Sequence, residues 1–257
     1  MSKPGCARLR LFVAIVLACA ALPVSASEGA ATPSSFATLI KWLPLLLKGF
    51  AIDLGISVAS MAIGTVLGAV VGVGQISSRA GVRRTSQWIT QFFRNAPWLV
   101  LLFFCVLLLP YHFTVFGFSI PFPAWAKGII GLALPVMGNV AEVVRGGIQS
   151  IPSGQWEAAD ALALSRSQTL RLVIFPQALK RMLPPWMNVY AVLMMATPLV
   201  SIVGVEDSVT VARSVLAAEG SPALLMPVYG LVLLLFFAYC APIARCTRRL
   251  EARYAIA

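Results

Sequence analysis

The sequence predicts an all-α integral membrane protein, a polytopic helical bundle of about five transmembrane helices that follows an N-terminal signal-like segment. Of the 257 residues, 59% are hydrophobic and 11% are charged, whereas an ordinary soluble domain carries about 25% charged residues. Several apolar runs approach the roughly 20 residues that a helix needs to cross the hydrocarbon core of a bilayer. Both observations favour one membrane domain over a water-soluble fold.

The excess of basic residues indicates orientation in a membrane rather than a nucleic-acid partner. The formal net charge is +11, but the lysines and arginines are not gathered into one stripe or interleaved with exposed aromatic residues. They lie between the apolar runs, where the positive-inside rule places them. The five cysteines form no C-x-x-C pair and have no zinc-type spacing with the single histidine, so we expect no metal site.

Residues 1–26 are predicted to be a signal peptide-like segment. A basic start precedes an apolar stretch from Leu11 to Leu22, and small residues follow up to Ala26, which is the order of elements in a secretory signal. Cleavage after Ala26 is the favoured outcome. The alternatives are an uncleaved first helix and lipidation of Cys19.

The rest of the chain divides into three parts. Residues 27–51 form an extracytoplasmic and interfacial lead, in which Glu28 to Leu39 is expected to be poorly ordered and Leu45 to Phe50 to lie at the membrane interface. Residues 52–244 form the transmembrane domain, and residues 245–257 form a basic cytoplasmic tail. The predicted spans are Ile52–Val73, Pro97–Leu109, Ala126–Val144, Tyr190–Val205 and Ala223–Ala241.

The distribution of basic residues predicts an external mature N-terminus and a cytoplasmic C-terminus in a bacterial cytoplasmic membrane. With five spans arranged in this way, 13 of the 20 lysines and arginines lie on the inside, 4 on the outside and 3 in the signal segment. The inside residues are Arg79, Arg83, Arg84, Arg94, Arg145, Arg166, Arg171, Lys180, Arg181, Arg245, Arg248, Arg249 and Arg253, and the outside residues are Lys41, Lys48, Lys127 and Arg213.

Small residues in the first span predict a close helix contact. Ser60, Gly64, Gly68 and Gly72 recur at every fourth position, which lines one helix face so that another backbone can approach. Packing within the chain is favoured over a contact between two copies.

The longest inside loop, residues 150–181, carries the most specific pattern. Ser153 is expected to cap a first short helix, and Ser165 with Gln168 forms an S-x-x-Q capping box that starts a second one. Pro176 is expected to end that second helix or to kink the chain. Taken by itself, such a pair of helices is also compatible with a simple interfacial loop.

The exact residues resemble the EAA loop of ABC importer permeases, in particular the histidine, glutamine and arginine type of the polar amino acid uptake family. Within the loop, the matching strings are Gly154-Gln-Trp-Glu157-Ala-Ala and Phe175-Pro-Gln-Ala. Outside it, they are Phe93-Arg-Asn-Ala-Pro97, the run from Ala141 to Pro152, and Thr197-Pro-Leu-Val-Ser-Ile-Val-Gly-Val. The likeness extends over about Leu45 to Ala241.

The resemblance implies a type I importer permease that translocates amino acids or related polar solutes. In that family the loop docks on a cytoplasmic ATPase dimer, which assigns coupling to Glu157, Ala158, Ala159, Ala163 and Pro176. A second permease subunit, identical or related, and an extracytoplasmic solute-binding protein complete the implied assembly in the lipid bilayer. The chain has no P-loop sequence, so ATP and Mg²⁺ are expected on the partner and no cofactor on this chain.

Three positions depart from the family pattern. Ala163 replaces the usual glycine, and a left-handed conformation there would cost roughly 1 to 2 kcal/mol. Met195-Ala196 replaces a Lys-Asp or Lys-Asn pair, and Ala96 replaces a threonine or serine. These changes bear on solute preference and leave the loop recognisable.

Three residues are candidates for the solute pathway: Asn95, Glu142 and Thr197. Ionisable groups inside a membrane are often functional, although Glu142 lies three residues before Arg145 and an ion pair is an equal alternative. Thr197 with Pro198 interrupts the fourth span, as is tolerated where the backbone faces protein or a water-filled cavity. Asn95 has a rival role as the cap of the second span.

Other functional classes remain as rivals. A self-sufficient channel or secondary carrier would act without an ATPase, and a purely structural anchor would tolerate changes at Glu157. An intramembrane enzyme would need a nucleophile or a metal cluster at membrane depth, which one histidine and scattered serines do not supply.

Overall fold

The structure is a computed structural model that describes residues 35–115 and 118–254. The predicted signal segment lies outside the described residues. The helices are α1 (Ser35–Gln75), α2 (Ala80–Asn95), α3 (Trp98–Leu108), α4 (Ala124–Gln149), α5 (Ser153–Ala161), α6 (Arg166–Gln168), α7 (Phe175–Ala196), α8 (Ser208–Glu219) and α9 (Leu225–Tyr254). A hairpin of β1 (His112–Val115) and β2 (Phe118–Pro121) follows α3, with His112 opposite Pro121. The predicted helical fold class is confirmed.

The number of candidate membrane spans agrees with the prediction of about five. In the described part of the chain, four helical stretches are long and apolar enough to cross a membrane: Phe36–Gln75, Ala124–Gln149, Arg166–Val203 and Pro222–Tyr254. A fifth arises if α2 and α3, which meet at an angle of 101°, count as one span. The aromatic-rich connection after that span contains the hairpin.

The first span begins much earlier than predicted. Its helix starts at Ser35. Residues 35–39 of the segment expected to be poorly ordered and the interfacial segment Leu45 to Phe50 are therefore helical, whereas residues 28–34 lie outside the described residues. Leu46 is fully buried in a cluster with Ala212 and Val228. Burial of one helix face against other elements stabilises a helix beyond its intrinsic propensity, which explains why Pro44 does not end it.

The predicted fourth span is the end of a longer helical stretch. That stretch starts at Arg166 and changes from an α-helix to a 3-10 helix at Thr197–Val203, which Gly204 ends with a φ of 85°. Pro198 lies in the first turn of the 3-10 segment, and because proline has no N–H group, it cannot continue the regular hydrogen bonding of α7. The interruption predicted at Thr197 and Pro198 therefore appears as a change of helix type.

The described chain divides into two compact units. The first comprises residues 35–53 and 206–238, and the second comprises residues 54–205 and 239–254. In the first unit, the fully buried Asp53 accepts hydrogen bonds at Oδ2 from the Ser208 backbone N–H, at 3.2 Å, and from the Ser208 hydroxyl, at 2.5 Å. Asp53 therefore stabilises the start of α8, where backbone N–H groups lack helical partners.

A polar cluster at the other end of α8 also lies in the first unit. The Lys41 ammonium donates to Glu219 Oε1 at 2.8 Å, and the Trp42 indole N–H donates to the same oxygen at 2.7 Å. The hydrogen bond from Lys41, and then that from Trp42, hold the pKa of the Glu219 carboxyl below its ordinary value. Any stabilisation from this cluster is present at neutral pH and is lost as the pH falls through that lowered pKa.

In the second unit, a buried lysine holds the end of α3. Lys127 is fully buried, and its ammonium donates to the carbonyl oxygens of Val106, at 3.1 Å, and Leu109, at 2.6 Å. It also lies 3.3 Å from the ring centroid of Tyr111. The last carbonyls of a helix have no helical donor and carry partial negative charge, so the cation satisfies them. Lys127 is thus a helix cap rather than a solvated loop charge.

The stripe of small residues packs on α4 within the second unit. A Cβ atom on Gly68 would lie 2.7 Å from Val140 Cβ and 2.8 Å from the Met137 carbonyl oxygen. Gly64 and Gly72 meet α4 in the same way, one turn to each side, and the Ser60 hydroxyl donates to the Ile129 carbonyl oxygen at 3.1 Å. The two helix backbones approach within this chain, which is the contact that the spacing favours.

We predict that Gly68→Ala destabilises the protein by about 1 to 3 kcal/mol, because the added methyl overpacks the contact with α4. Gly55→Ala is the matched control, since a Cβ at Gly55 meets no atom within 4 Å and alanine is favoured over glycine in a helix. The thermal midpoint of the detergent-solubilised protein should fall for Gly68→Ala and hold or rise for Gly55→Ala. Equal midpoints for the two variants would show that the α1–α4 contact is not close.

Candidate functional site

The loop between α4 and α7 starts with α5, which is not capped as predicted. Pro152 is the residue before the helix, and it offers no side-chain cap. Ser153, the predicted cap, is instead the first residue of α5. A capping hydroxyl must lie on the extended residue before the first turn, and here the proline, with its fixed φ, occupies that position.

The end of α5 places Ala163 in a left-handed conformation with a φ of 52°. The Leu164 N–H donates to the Ala159 carbonyl oxygen at 3.2 Å, and the Ala163 N–H donates to the Asp160 carbonyl oxygen at 2.9 Å. These two bonds form a Schellman motif, which normally has glycine at the left-handed position. The turn therefore keeps its geometry with alanine and carries a conformational cost.

The second short helix starts with the predicted capping box. The Gln168 N–H donates to Ser165 Oγ at 3.4 Å, and the Ser165 N–H donates to Gln168 Oε1 at 2.9 Å. Both halves of the box are present.

Pro176 does not end the second helix, so the first of the two outcomes predicted for it is wrong. Residues Thr169–Ile174 form a π-helical turn that continues directly into α7, and Pro176 lies in the first turn of α7. The Phe175 N–H donates to the Leu170 carbonyl oxygen, five residues back, as in a π-helix. This wider turn accommodates a proline that lacks an N–H group and would clash with the preceding turn of a regular α-helix.

The five loop residues assigned to coupling differ in exposure. Glu157, Ala158 and Ala163 are exposed, as is Pro176, whereas Ala159 is 2% exposed. The Ala159 methyl group therefore faces the chain itself and does not belong to an outer docking surface. Glu157 makes no ion pair with a described residue, so its carboxylate is available to a partner.

Three polar side chains hold the loop in place, two by bonds within it and one by a bond to the turn after α1. The Gln177 amide donates to Gln155 Oε1 at 2.9 Å, and the Arg181 guanidinium donates to the Ser150 carbonyl oxygen and, at 3.3 Å, to its hydroxyl. The Arg166 guanidinium donates to the Ile76 carbonyl oxygen at 3.1 Å. The sequence pattern assigned no hydrogen bond to residues 166, 177 and 181. Gln177 belongs to the matching string at Phe175, and Arg166 and Arg181 were counted only among the inside basic residues.

A cavity of about 610 Å³ opens beside α4 and α7. Glu142 lines it and accepts two hydrogen bonds from Arg145, one of them from Nε at 3.1 Å. Arg94 lies 3.9 Å from the same carboxylate. The ion pair foreseen as the alternative for Glu142 is therefore present, and the carboxylate also faces open space. The other polar and charged residues of the lining are Asn139, Ser150, Arg181, Asn188, Glu251 and Tyr254.

The structure does not bring the three candidate pathway residues together. Asn95 is exposed, and its amide donates to the Gln91 carbonyl oxygen at 2.7 Å, so it does not cap α3, for which Pro97 precedes the first turn. Thr197 is fully buried and donates to the Met194 carbonyl oxygen at 2.8 Å. In this conformation Glu142 lines the cavity, whereas Asn95 and Thr197 do not.

Comparison with known protein families identifies the family of this chain. Residues 64–243 match the family described as the inner membrane component of binding-protein-dependent transport systems. The chain belongs to this family. It is therefore the membrane-spanning permease subunit of an ABC importer, and ATP hydrolysis is carried out by a partner subunit.

Individual relatives agree with the family assignment. The permease is 34% identical to the probable amino-acid ABC transporter permease protein YckA of Bacillus subtilis (strain 168), over 84% of this chain and 92% of that protein. It is 33% identical to the glutamate/glutamine/aspartate/asparagine transport system permease protein BztC of Rhodobacter capsulatus, over 90% of this chain. This chain spans 56% of the length of BztC.

A solved structure has the same fold as the permease. It is described as the crystal structure of an amino acid ABC transporter with histidines. The TM-score is 0.74 at 25% sequence identity, and the match covers 86% of this permease and 100% of the other chain.

We predict that Ala163→Gly stabilises the loop of this permease locally by about 1 kcal/mol, because glycine adopts the left-handed conformation without the penalty that a Cβ atom imposes. Ala161→Gly, on the last residue of α5, is the control and should destabilise the loop, since glycine weakens a helix. Amide hydrogen exchange at residues 163 and 164 should slow in the first variant and accelerate in the second. Faster exchange in both would mean that the turn is not left-handed in solution.

Proposed function

We propose that this permease imports amino acids or related polar solutes, with the loop at residues 150–181 transmitting the action of a cytoplasmic ATPase dimer. The observation that carries the proposal is the geometry of the loop, two short helices with an exposed acidic residue, in a chain whose relatives are named amino-acid permeases. ATP and Mg²⁺ belong to the ATPase. A second permease subunit and an extracytoplasmic binding protein complete the importer.

The proposed orientation places the mature N-terminus outside and the C-terminus in the cytoplasm. The excess of 13 inside over 4 outside basic residues supports it. Lys127 strengthens that asymmetry, because its charge is used as the cap of α3 and is not displayed to solvent. With this orientation, α5 and α6 face the compartment that contains ATP.

The docking surface on the ATPase side consists of Glu157, Ala158 and Pro176. All three are exposed, and the small side chain of Ala158 permits close approach of a partner backbone. Ala159 and Ala163 have different roles. Ala159 is buried on the inner face of α5 and shapes the surface without touching the partner. Ala163 is exposed and turns the chain after α5.

We predict that Glu157→Lys lowers the amount of ATPase that co-purifies with the permease by at least about tenfold. The substitution reverses the charge at the docking site, so a basic group of the ATPase that pairs with Glu157 would meet a like charge. Glu206→Lys is the control, with the same charge change at another exposed residue. The ratio of ATPase to permease after affinity purification gives the result. An unchanged ratio for Glu157→Lys, with normal folding, would contradict docking through this loop.

The solute pathway is proposed to include the cavity beside α4 and α7. Its lining contains both cationic groups, Arg94 and Arg181, and carboxylates, Glu142 and Glu251, as well as two amides. A zwitterionic amino acid presents one group of each sign, and a cavity of about 610 Å³ is within the usual range for small-molecule sites. Asn95 and Thr197 would join this pathway only after a change of packing during transport.

We predict that Glu142→Gln lowers amino-acid uptake about tenfold, which corresponds to roughly 1.4 kcal/mol of lost interaction. The amide retains the size of the side chain but neither pairs with Arg145 nor attracts an ammonium group. Uptake of a mixture of radiolabelled L-amino acids into proteoliposomes would measure this loss of transport, with Glu206→Gln as the control. Uptake equal to that of wild type would remove Glu142 from the pathway.

A further inference from the structure

The short helix α6 of the loop begins beside the end of α1. Arg166, the first residue of α6, donates from Nη2 to the Ile76 carbonyl oxygen at 3.1 Å, and Ile76 directly follows the last residue of α1. Carbonyl groups at a helix C-terminus lack helical donors and lie at the negative end of the helix dipole. A guanidinium group is therefore a well-matched partner for this position.

The surroundings of this hydrogen bond are open. A cavity of about 620 Å³ lies between the loop and the turn that follows α1, with Gln75, Ser77, Trp156 and both Arg83 and Arg166 in its wall. Among the described residues, Arg166 makes the only hydrogen bond between residues 150–168 and residues 76–79. The long side chain of Arg166 thus bridges a gap that is not filled by packing.

The acceptor side of the bridge is stiff. Arg83 donates from Nη1 to the Ser77 carbonyl oxygen at 3.1 Å, so the next peptide of the same turn is held by a second arginine. Gln75 donates from its amide to Thr90 Oγ1 at 3.0 Å and to the Ala141 carbonyl oxygen at 3.3 Å. This end of α1 is therefore fixed to both α2 and α4, and a displacement delivered through Arg166 reaches these helices together.

The donor side of the bridge is continuous with α7, which lines the proposed solute cavity. Arg166 opens the helical stretch that runs without interruption through the π-helical turn into α7, and α7 lines the same cavity as Glu142. A movement of the coupling loop therefore acts on α7 directly through the chain. It acts on the end of α1 through the Arg166 side chain.

We infer that Arg166 is a positioning residue for energy coupling. It ties the start of the α6–α7 stretch to the end of α1, so that displacement of the coupling loop by the ATPase moves both sides of the pathway together. The inference rests on the proposed function. Because Arg166 is exposed, its role in coupling is separable from stability, as exposed substitutions usually change folding very little.

The test compares three variants of the reconstituted complex of permease, ATPase and binding protein. Arg166→Ala removes the bridge, and Arg166→Lys keeps a cationic donor. Arg171→Ala is the matched control, since Arg171 is an exposed arginine on the following turn with no hydrogen bond or ion pair to a described residue. The measured quantity is the number of radiolabelled L-amino acid molecules taken up per ATP hydrolysed, with the amount of bound ATPase determined in the same samples.

Arg166→Ala is expected to bind ATPase normally and to lower the uptake per ATP by roughly fivefold or more, the range of coupling between linked sites. Arg166→Lys should recover part of that loss, and Arg171→Ala should match wild type. A ratio for Arg166→Ala equal to that of Arg171→Ala overturns the inference, and so does loss of bound ATPase, which would make Arg166 a docking residue. Failure of wild type to bind any ATPase would instead contradict the proposed function.

Discussion

The ends of the helices impose the constraint on which the rest of this permease depends. A bilayer offers no water to backbone N–H and C=O groups, and each helix end leaves up to four of them without helical partners. The permease satisfies several of these ends with a charged side chain from another element. Lys127 holds the carbonyls at the end of α3, and Asp53 holds an N–H at the start of α8. Buried charges are placed where the helix dipole favours them.

Polar side chains also satisfy carbonyls after helix ends at the loop between α4 and α7, where transport requires movement. The guanidinium of Arg181 holds the carbonyl after α4, and that of Arg166 holds the carbonyl after α1. Hydrogen bonds from exposed side chains are weak individually, yet they fix the loop between α4 and α7 to two different helices. In contrast, α1 and α4 meet through glycines, with backbone against side chain and no room for adjustment. The second unit thus combines a close, glycine-mediated contact between α1 and α4 with a more adjustable set of polar ties at the loop.

Much of the fold and of the loop could be predicted from the sequence, because membrane helices and capping boxes depend on local residues. The small-residue stripe and the Ser165 capping box needed no knowledge of distant contacts. Helix limits depend on tertiary burial, which explains why the helix around Leu46 extends back to Ser35. The π-helical turn before Pro176 and the inward position of Ala159 follow from packing, which periodicity does not encode. Arg166 had no local signal, since its acceptor is a backbone carbonyl 90 residues away in sequence.

The central claim is that this permease moves amino acids only when an ATPase drives it. The most direct measurement is uptake of a mixture of radiolabelled L-amino acids into proteoliposomes that contain the purified permease with its binding protein, with and without the partner ATPase and ATP. We expect uptake against a concentration gradient when both are present and none when either is omitted. Uptake by the permease without ATPase would identify a channel or a secondary carrier and would contradict the account.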